Sequence, residues 1–254
     1  MLKDERLERI EEFINLNRYA SMSELTEMFS ISKATIRRDL ELLEKMNRVA
    51  LTRGGAASIN RGTMYELPYV EKRNANREEK TRIARAACGR IRSGETVMLD
   101  SGTTTYEMAD FIDDAKGVCV ATNDLMIAMA LTKRPGVELF IIGGGVRKGF
   151  YTATGYFAAA NVCNYNFDRA FVSVDAINLA HGCMITNAEE VDVKRSIIKS
   201  AREVIVVCDH TKFEATAFVG ICPVEQINGI ITGCELDEGI RDKFLERGCS
   251  LELV

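Results

Sequence analysis

Asp100-Ser101-Gly102-Thr103-Thr104-Thr105 sets an acid, a glycine and four hydroxyl side chains in one short run. Between a strand and a helix, such a run points backbone amides at one spot and adds hydroxyl donors without blocking access. That is the chemistry of a phosphate site, and equally the composition of a capped loop. Three other groups follow strand-like runs: Asn123, Gly144 within Gly143-Gly144-Gly145, and Asp175 after Phe171-Val172-Ser173-Val174. Ligands of open α/β sheets lie beyond the carboxyl ends of strands, where all of these fall. Singly, Asn123 reads as a helix cap, the glycines as a turn and Asp175 as a surface acid. Farther on, Glu190 and Lys194 stand four apart on a helical pattern, and Lys212 follows Asp209-His210-Thr211. The first two read as an exposed helix pair, with Asn187 and Glu190 as a capping box.

A second constellation is basic. Ser32-Lys33-Ala34-Thr35-Ile36-Arg37-Arg38-Asp39-Leu40 is polar and small on one side of a helix and apolar on the other. The groove-inserted helix of a helix-turn-helix needs that division. Ser32 and Thr35 can bond phosphates or backbone amides, Lys33 and Ala34 project near base edges, and Arg37 and Arg38 reach bases or phosphates. Gly54-Gly55 would let a hairpin tip approach the DNA backbone, with Arg53 beside it. Net charge is −4, yet residues 30–60 carry six Lys or Arg against three acids. Screening confines charge effects to roughly 8–10 Å, so a small basic face suffices for DNA.

The elements that position these residues follow from periodicity. Apolar residues at helical spacing predict a first helix through Leu7, Ile10 and Ile14. Ser21 to Glu24 caps a second, with Leu25, Met28 and Phe29 inward. Ser32 caps a third, with Ile36, Leu40, Leu43 and Met46 inward. Residues 49–57 read as two strands turning at the glycines. Residues 58–76 are polar and irregular, a linker. Six strand-like runs then alternate with helical stretches, a βαβ rhythm that predicts a mostly parallel sheet. The expectation is an α/β chain: winged helix-turn-helix over 1–57, linker 58–76, and a larger domain over 77–254.

Thr35-Ile36-Arg37-Arg38-Asp39-Leu40 followed by Gly54-Gly55-Ala56 closely resembles the DeoR family of transcription regulators. Leu99-Asp100-Ser101-Gly102-Thr103-Thr104, Ala121-Thr122-Asn123, Ile142-Gly143-Gly144, Glu190 to Arg195 and Asp209-His210-Thr211-Lys212-Phe213 resemble that family's sensor domain. The resemblance spans essentially the whole chain. It implies a sensor similar in fold to ribose-phosphate isomerases, a threonine loop that holds a sugar phosphate, and a former catalytic cleft occupied by Asp175, Glu190, Lys194 and Lys212. It also implies repression relieved by the sugar phosphate. The alternative is an isomerase in which Glu190 or Asp175 moves a proton.

Composition sets the outer limits. No apolar run approaches the roughly 18 residues of a membrane helix, and the charged start lacks the apolar centre of a signal peptide. The eight cysteines form no C-x-x-C and several sit in apolar runs, so they read as reduced thiols in a cytoplasmic protein. His181 and His210 are the only histidines, a poor basis for a zinc site. Neither metal nor cofactor is expected. The expected partners are an operator duplex, a sugar phosphate, no membrane, and further copies of the chain as a dimer or tetramer.

Overall fold

The computed structural model describes residues 3–17, 19–46, 48–52, 54–58, 62–113 and 116–254, so Arg53 lies outside the described residues. The chain divides into two compact units, Met1–Ala75 and Asn76–Val254.

The first unit holds α1 (Lys3–Asn17), β1 (Tyr19–Ser21), α2 (Met22–Phe29), α3 (Lys33–Lys45), β2 (Val49–Thr52), β3 (Gly55–Ser58) and α4 (Tyr69–Asn74). Ser21 and Glu24 form the capping box of α2, and Ser32 caps α3. Leu7, Ile10, Ile14, Leu25, Ile36, Leu40 and Leu43 close one core. Two expected core residues are outside it: Met28 is 54% and Met46 50% exposed. The core stripe ends at Leu43, because Met46 is already the residue that caps α3. The wing is a three-stranded antiparallel sheet in the order β1-β3-β2. A Cβ on Gly55 would lie 2.0 Å from the Ala20 carbonyl oxygen, so that glycine is required by the close passage of β3 over β1. Within the stretch read as irregular, residues 69–74 are helical, and the buried Tyr69 anchors them to this unit.

The second unit is built on β4 (Thr96–Leu99), β5 (Val118–Thr122), β6 (Val137–Ile141), β9 (Phe167–Val172), β12 (Ala201–Val207), β14 (Gly229–Thr232) and β15 (Leu251–Leu253). These form one parallel sheet in the order β15-β14-β12-β9-β4-β5-β6. Alternation explains why: Val97, Leu99, Phe171 and Val207 enter one core, while Met98, Ala170 and Val172 enter another. Strands buried on both faces are the mark of a parallel sheet. Helices α5 (Arg77–Gly89), α6 (Thr103–Met108) and α7 (Leu125–Leu131) serve the first core. Helices α8 (Tyr156–Val162) and α9 (Val191–Ser200) serve the second, and α10 (Glu238–Glu246) a third through Phe244. The hairpin β7 (Gly145–Arg147) and β8 (Thr152–Thr154) and an antiparallel sheet of β10 (Ala176–Asn178), β11 (Gly182–Ile185) and β13 (Val219–Cys222) complete the unit. The chain runs outward from β4 through β5 and β6, then restarts at β9 on the other side of β4. The carboxyl ends of β4 and β9 therefore flank the switch point, the standard place for a ligand crevice.

Candidate effector cleft and DNA-reading helix

In the first unit, α3 turns Ile36, Leu40 and Leu43 to the core and leaves Ser32, Lys33, Ala34, Arg37 and Arg38 exposed, with Thr35 intermediate. Arg6 grips the buried Asp39 through two hydrogen bonds of 2.6 and 3.0 Å, which fixes α3 against α1. The Ser32 hydroxyl accepts from the Thr35 amide at 3.3 Å, which caps the helix, and bonds the Thr35 hydroxyl at 2.9 Å. Among the described residues Arg37 has an exposed ion pair to Glu41 at 3.3 Å, weak enough to exchange for a nucleic acid. Arg37→Ala and Arg38→Ala are each expected to weaken operator binding by about 1–3 kcal/mol if they touch base edges, with relaxed specificity. A gel shift at fixed salt checks this; unchanged affinity for both variants would remove α3 from the groove.

In the second unit, Asp100 ends β4 fully buried. Its Oδ2 accepts from the Ser173 amide at 3.0 Å and pairs with Lys194, itself buried on α9. Lys194 also donates to the Ser173 carbonyl at 3.1 Å. Burial alone would lower the Lys194 amine, but Asp100, Glu190 and Asp175 together raise it, so it stays charged. Burial holds the Asp100 carboxyl above its ordinary range against the pull of Lys194. Asp100 Oδ1 has no hydrogen-bond partner among the described residues. A buried carboxylate oxygen of this kind calls for a donor, from water or from a ligand.

Around this pair the loop is tightly determined. The Ser101 amide donates to Asn123 Oδ1 at 3.0 Å and its hydroxyl to Asp124 at 2.8 Å. Asn123 continues to Thr152 and to the Ala153 carbonyl, and Asp124 caps α7. A Cβ on Gly102 would stand 2.3 Å from Ser173 Oγ, so only glycine lets the β4–α6 loop meet the end of β9. Thr105 bonds back to the Gly102 carbonyl, whereas the Thr103 and Thr104 hydroxyls make no hydrogen bond among the described residues. Asp175 accepts from the Thr186 amide at 2.9 Å. Gly144 is demanded by packing: its Cβ would lie 2.8 Å from that of Ala158 on α8.

Glu190 and Lys194 do not form the helix pair their spacing suggests. Glu190 ends a 3-10 turn before α9 and pairs with Arg147 at 2.8 Å, while Lys194 turns inward to Asp100. Asn187 caps that turn through the Glu189 amide, without Glu190 closing a capping box. Arg147, Ser173 and Asp124 went unmarked in the sequence; only Asp124, beside Asn123 at a strand end, carried a local cap signal.

Lys212 lies one strand farther along, beside the buried Asp209 at the end of β12. Burial would raise Asp209, but Lys212, Lys80, Thr211 and Asn76 hold it at about 2. Glu79, Asp209 and His210 bring three potential ligand atoms within 4.8 Å of one another. Both Glu79 oxygens already bind His210, through its amide at 2.7 Å and Nδ1 at 2.8 Å. The positive charge there comes from Lys80 and Lys212. Because the folded value of Asp209 lies below its ordinary 3.8, its stabilisation is complete at neutral pH and lost as pH falls from about 4 through about 2. Acid titration of melting should show a loss of about 2 kcal/mol across that window that Asp209→Asn removes. Parallel curves for both proteins would refute the assignment.

Two family models match the chain: a DeoR-like helix-turn-helix domain over residues 6–62 and a DeoR C-terminal sensor domain over residues 75–234. The HTH-type transcriptional regulator IolR of Bacillus subtilis is 31% identical, covering 92% of each chain. The HTH-type transcriptional repressor GlcR of Bacillus subtilis is 31% identical, covering 91% of this chain and 89% of its own. The glycerol-3-phosphate regulon repressor of Escherichia coli is 28% identical over the full length of both. Among solved structures, ribose 5-phosphate isomerase A of Methanocaldococcus jannaschii matches 55% of each chain at 15% identity and a TM-score of 0.39, which says nothing about activity. With the relatives regulators rather than enzymes, this chain belongs to the DeoR family of DNA-binding transcription regulators.

Proposed function

We propose that this DNA-binding repressor controls a carbohydrate operon in the cytoplasm and leaves its operator when a sugar phosphate enters the β4–α6 cleft. Residues 1–57 read the operator through Lys33, Ala34, Arg37 and Arg38, with Ser32 capping the reading helix at the Thr35 amide and Arg53 in the wing. Residues 58–76 join them to the sensing and oligomerising domain of 77–254. No described helix is long and apolar enough to cross a membrane.

The observation that carries the reading is the Asp100 oxygen at the switch point, without a partner among the described residues, in the loop that also carries Thr103 and Thr104. A sugar supplies the hydroxyl donor that Asp100 lacks, and its phosphate accepts from the loop hydroxyls and the first amides of α6. Because α6 has only six residues, hydroxyls and amides carry this site more than any helix dipole. Lys194, Asp175, Glu190 and Asn123 hold the floor, Gly102 and Gly144 allow the close packing that shapes its loops, and Lys212 adds positive charge at its β12 side. The name of the Escherichia coli relative, with its glycerol 3-phosphate, accords with a small phosphorylated polyol.

A melting-temperature screen of sugar phosphates tests the cleft, since a ligand of the native state alone raises the midpoint. The best ligand is then titrated into the protein–operator complex. A hit that raises melting and releases DNA supports the reading. A panel without any shift, or a shift without release, would overturn it.

A further inference from the structure

Away from the cleft, the second unit sets two thiols directly opposite each other. Strands β11 and β13 run antiparallel, and Cys183 on β11 is in register with Cys222 on β13. Directly opposed residues of such a pair share a sheet face. They stand about 4.5–5.5 Å apart at Cα, inside the ~4.4–6.8 Å that a disulfide spans. Both side chains enter the same core, and each is the other's hydrogen-bond partner. Gly182 shows how closely the strands are pressed here, since a Cβ on it would lie 2.2 Å from the Cys222 carbonyl oxygen. Both cysteines are free thiols. No third ligand joins them to make a metal cage: among the described residues, the one group of three or more candidate ligands close enough to share an ion is Glu79, Asp209 and His210.

We propose that Cys183 and Cys222 are a redox pair, set by the fold to be closed into a disulfide by a peroxide. The two thiols are not equivalent. Cys222 ends β13 and keeps 7% exposure, against 1% for Cys183. The hydrogen bond from Cys183 lowers the Cys222 thiol and the Arg195 charge lowers it further, against the opposing effect of burial. Arg195 is held there by the carbonyls of Gly220 at 2.7 Å and Ile221 at 3.1 Å. A thiol beside a fixed arginine, at the rim of a core, is the one that reacts as thiolate. The Cys222 thiolate attacks one peroxide oxygen and the O–O bond breaks. The departing hydroxide takes the proton that the thiol released, which leaves a sulfenic acid and water. The Cys183 sulfur then attacks the Cys222 sulfur; the S–S bond forms, the S–O bond breaks, and the hydroxyl leaves with the Cys183 proton as a second water. Two thiols lose two electrons and the peroxide gains them. The bond would join two supports of the cleft. On β11, the Met184 carbonyl accepts from the Asp175 amide at 3.0 Å, and β13 is tied through Arg195 to α9, the helix that carries Lys194.

Peptide mapping of the full chain after treatment with hydrogen peroxide tests this. Trypsin leaves Cys183 in the peptide 170–194 and Cys222 in 213–241, which also holds Cys234. The mapping is therefore done on Cys234→Ser, a change at an exposed residue that the fold tolerates. Peroxide, a quench with catalase and alkylation in denaturant should yield the two peptides joined, two hydrogens lighter than their sum, within one chain. A thiol reductant should part them. The link closes a loop of about 40 residues between strands already in register, so the oxidised protein should melt higher by about 5 °C or more, a gain that reductant abolishes. Cys183→Ala should stop at the Cys222 sulfenic acid, which dimedone traps. Recovery of both cysteines alkylated after peroxide, or linkage of either to a different cysteine, would overturn the pair. A Cys183–Cys222 link that fails to raise the melting midpoint would overturn it too, because closure would then require a distorted fold.

Discussion

Lys194→Met should be the most destabilising single change in the cleft, costing about 3–5 kcal/mol at neutral pH. The substitution removes the only cation bonded to Asp100 among the described residues while keeping the length and apolar stem of the side chain. Asp100 then keeps the hydrogen bonds from Ser173, at 3.0 and 3.4 Å, and the Ser101 backbone beside it, with no cation bonded to it among the described residues. Two features separate this loss from ordinary loss of packing. The deficit should shrink as pH falls from neutral toward the ordinary carboxylate value of 3.8, because burial already raises the Asp100 carboxyl and losing Lys194 raises it further. A raised carboxyl penalises the fold above its folded value and is relieved by protonation below it. The double variant Lys194→Met, Asp100→Asn should recover much of the stability, since no charge is left buried. Thermal melts of the three proteins at two pH values decide the matter. A Lys194→Met deficit below about 1 kcal/mol, or one independent of pH, would mean that the pair is not the buried lock described.

The contrast between what was readable and what was not follows the range of each interaction. The caps of α2 and α3 were plain because Ser21 with Glu24, and Ser32 with Thr35, act within three residues. The six principal strands were readable because their hydrophobic runs are continuous. Strands β1 and β15 went unmarked: each has three residues, too few for a pattern, and exists only through its neighbour in the sheet. The small sheet of β10, β11 and β13, with strands of three or four residues, went unmarked as well. At the strand ends, residue types singled out the loops that carry Asp100, Asn123 and Asp175, but the pairing did not follow spacing. Glu190 and Lys194 satisfy the i, i+4 rule, yet the 3-10 turn rotates Glu190 toward Arg147. The partner of Lys194 is 94 positions away. Gly55 misled in a different way, since its need for close approach comes from β1, which sequence periodicity did not reveal.

Thr103→Asp should leave a repressor that binds its operator and no longer responds to sugar phosphate. Thr103 is the better of the two threonines for the test, being partly exposed where Thr104 is only 5% exposed. A carboxylate there would repel a phosphate and engage the amides at the start of α6 that the phosphate would otherwise use. Being within the second unit, the substitution leaves the α3 surface of the first unit unaltered. Effector affinity should fall by at least about 100-fold, the equivalent of about 2.7 kcal/mol. Operator affinity without effector should remain within about twofold of the parent's, a change of ~0.4 kcal/mol. Linkage adds a second test on the parent. If the sugar phosphate lowers operator affinity by some factor, operator DNA must lower sugar phosphate affinity by that same factor. Operator titrations of both proteins, with and without the best ligand from the melting screen, measure the first effect. Ligand titrations of the parent with and without operator measure the second. Equal release of parent and Thr103→Asp would place the sugar phosphate away from the β4–α6 loop. A loss of operator affinity that grows without limit as ligand is raised would instead show direct competition at the DNA-reading surface.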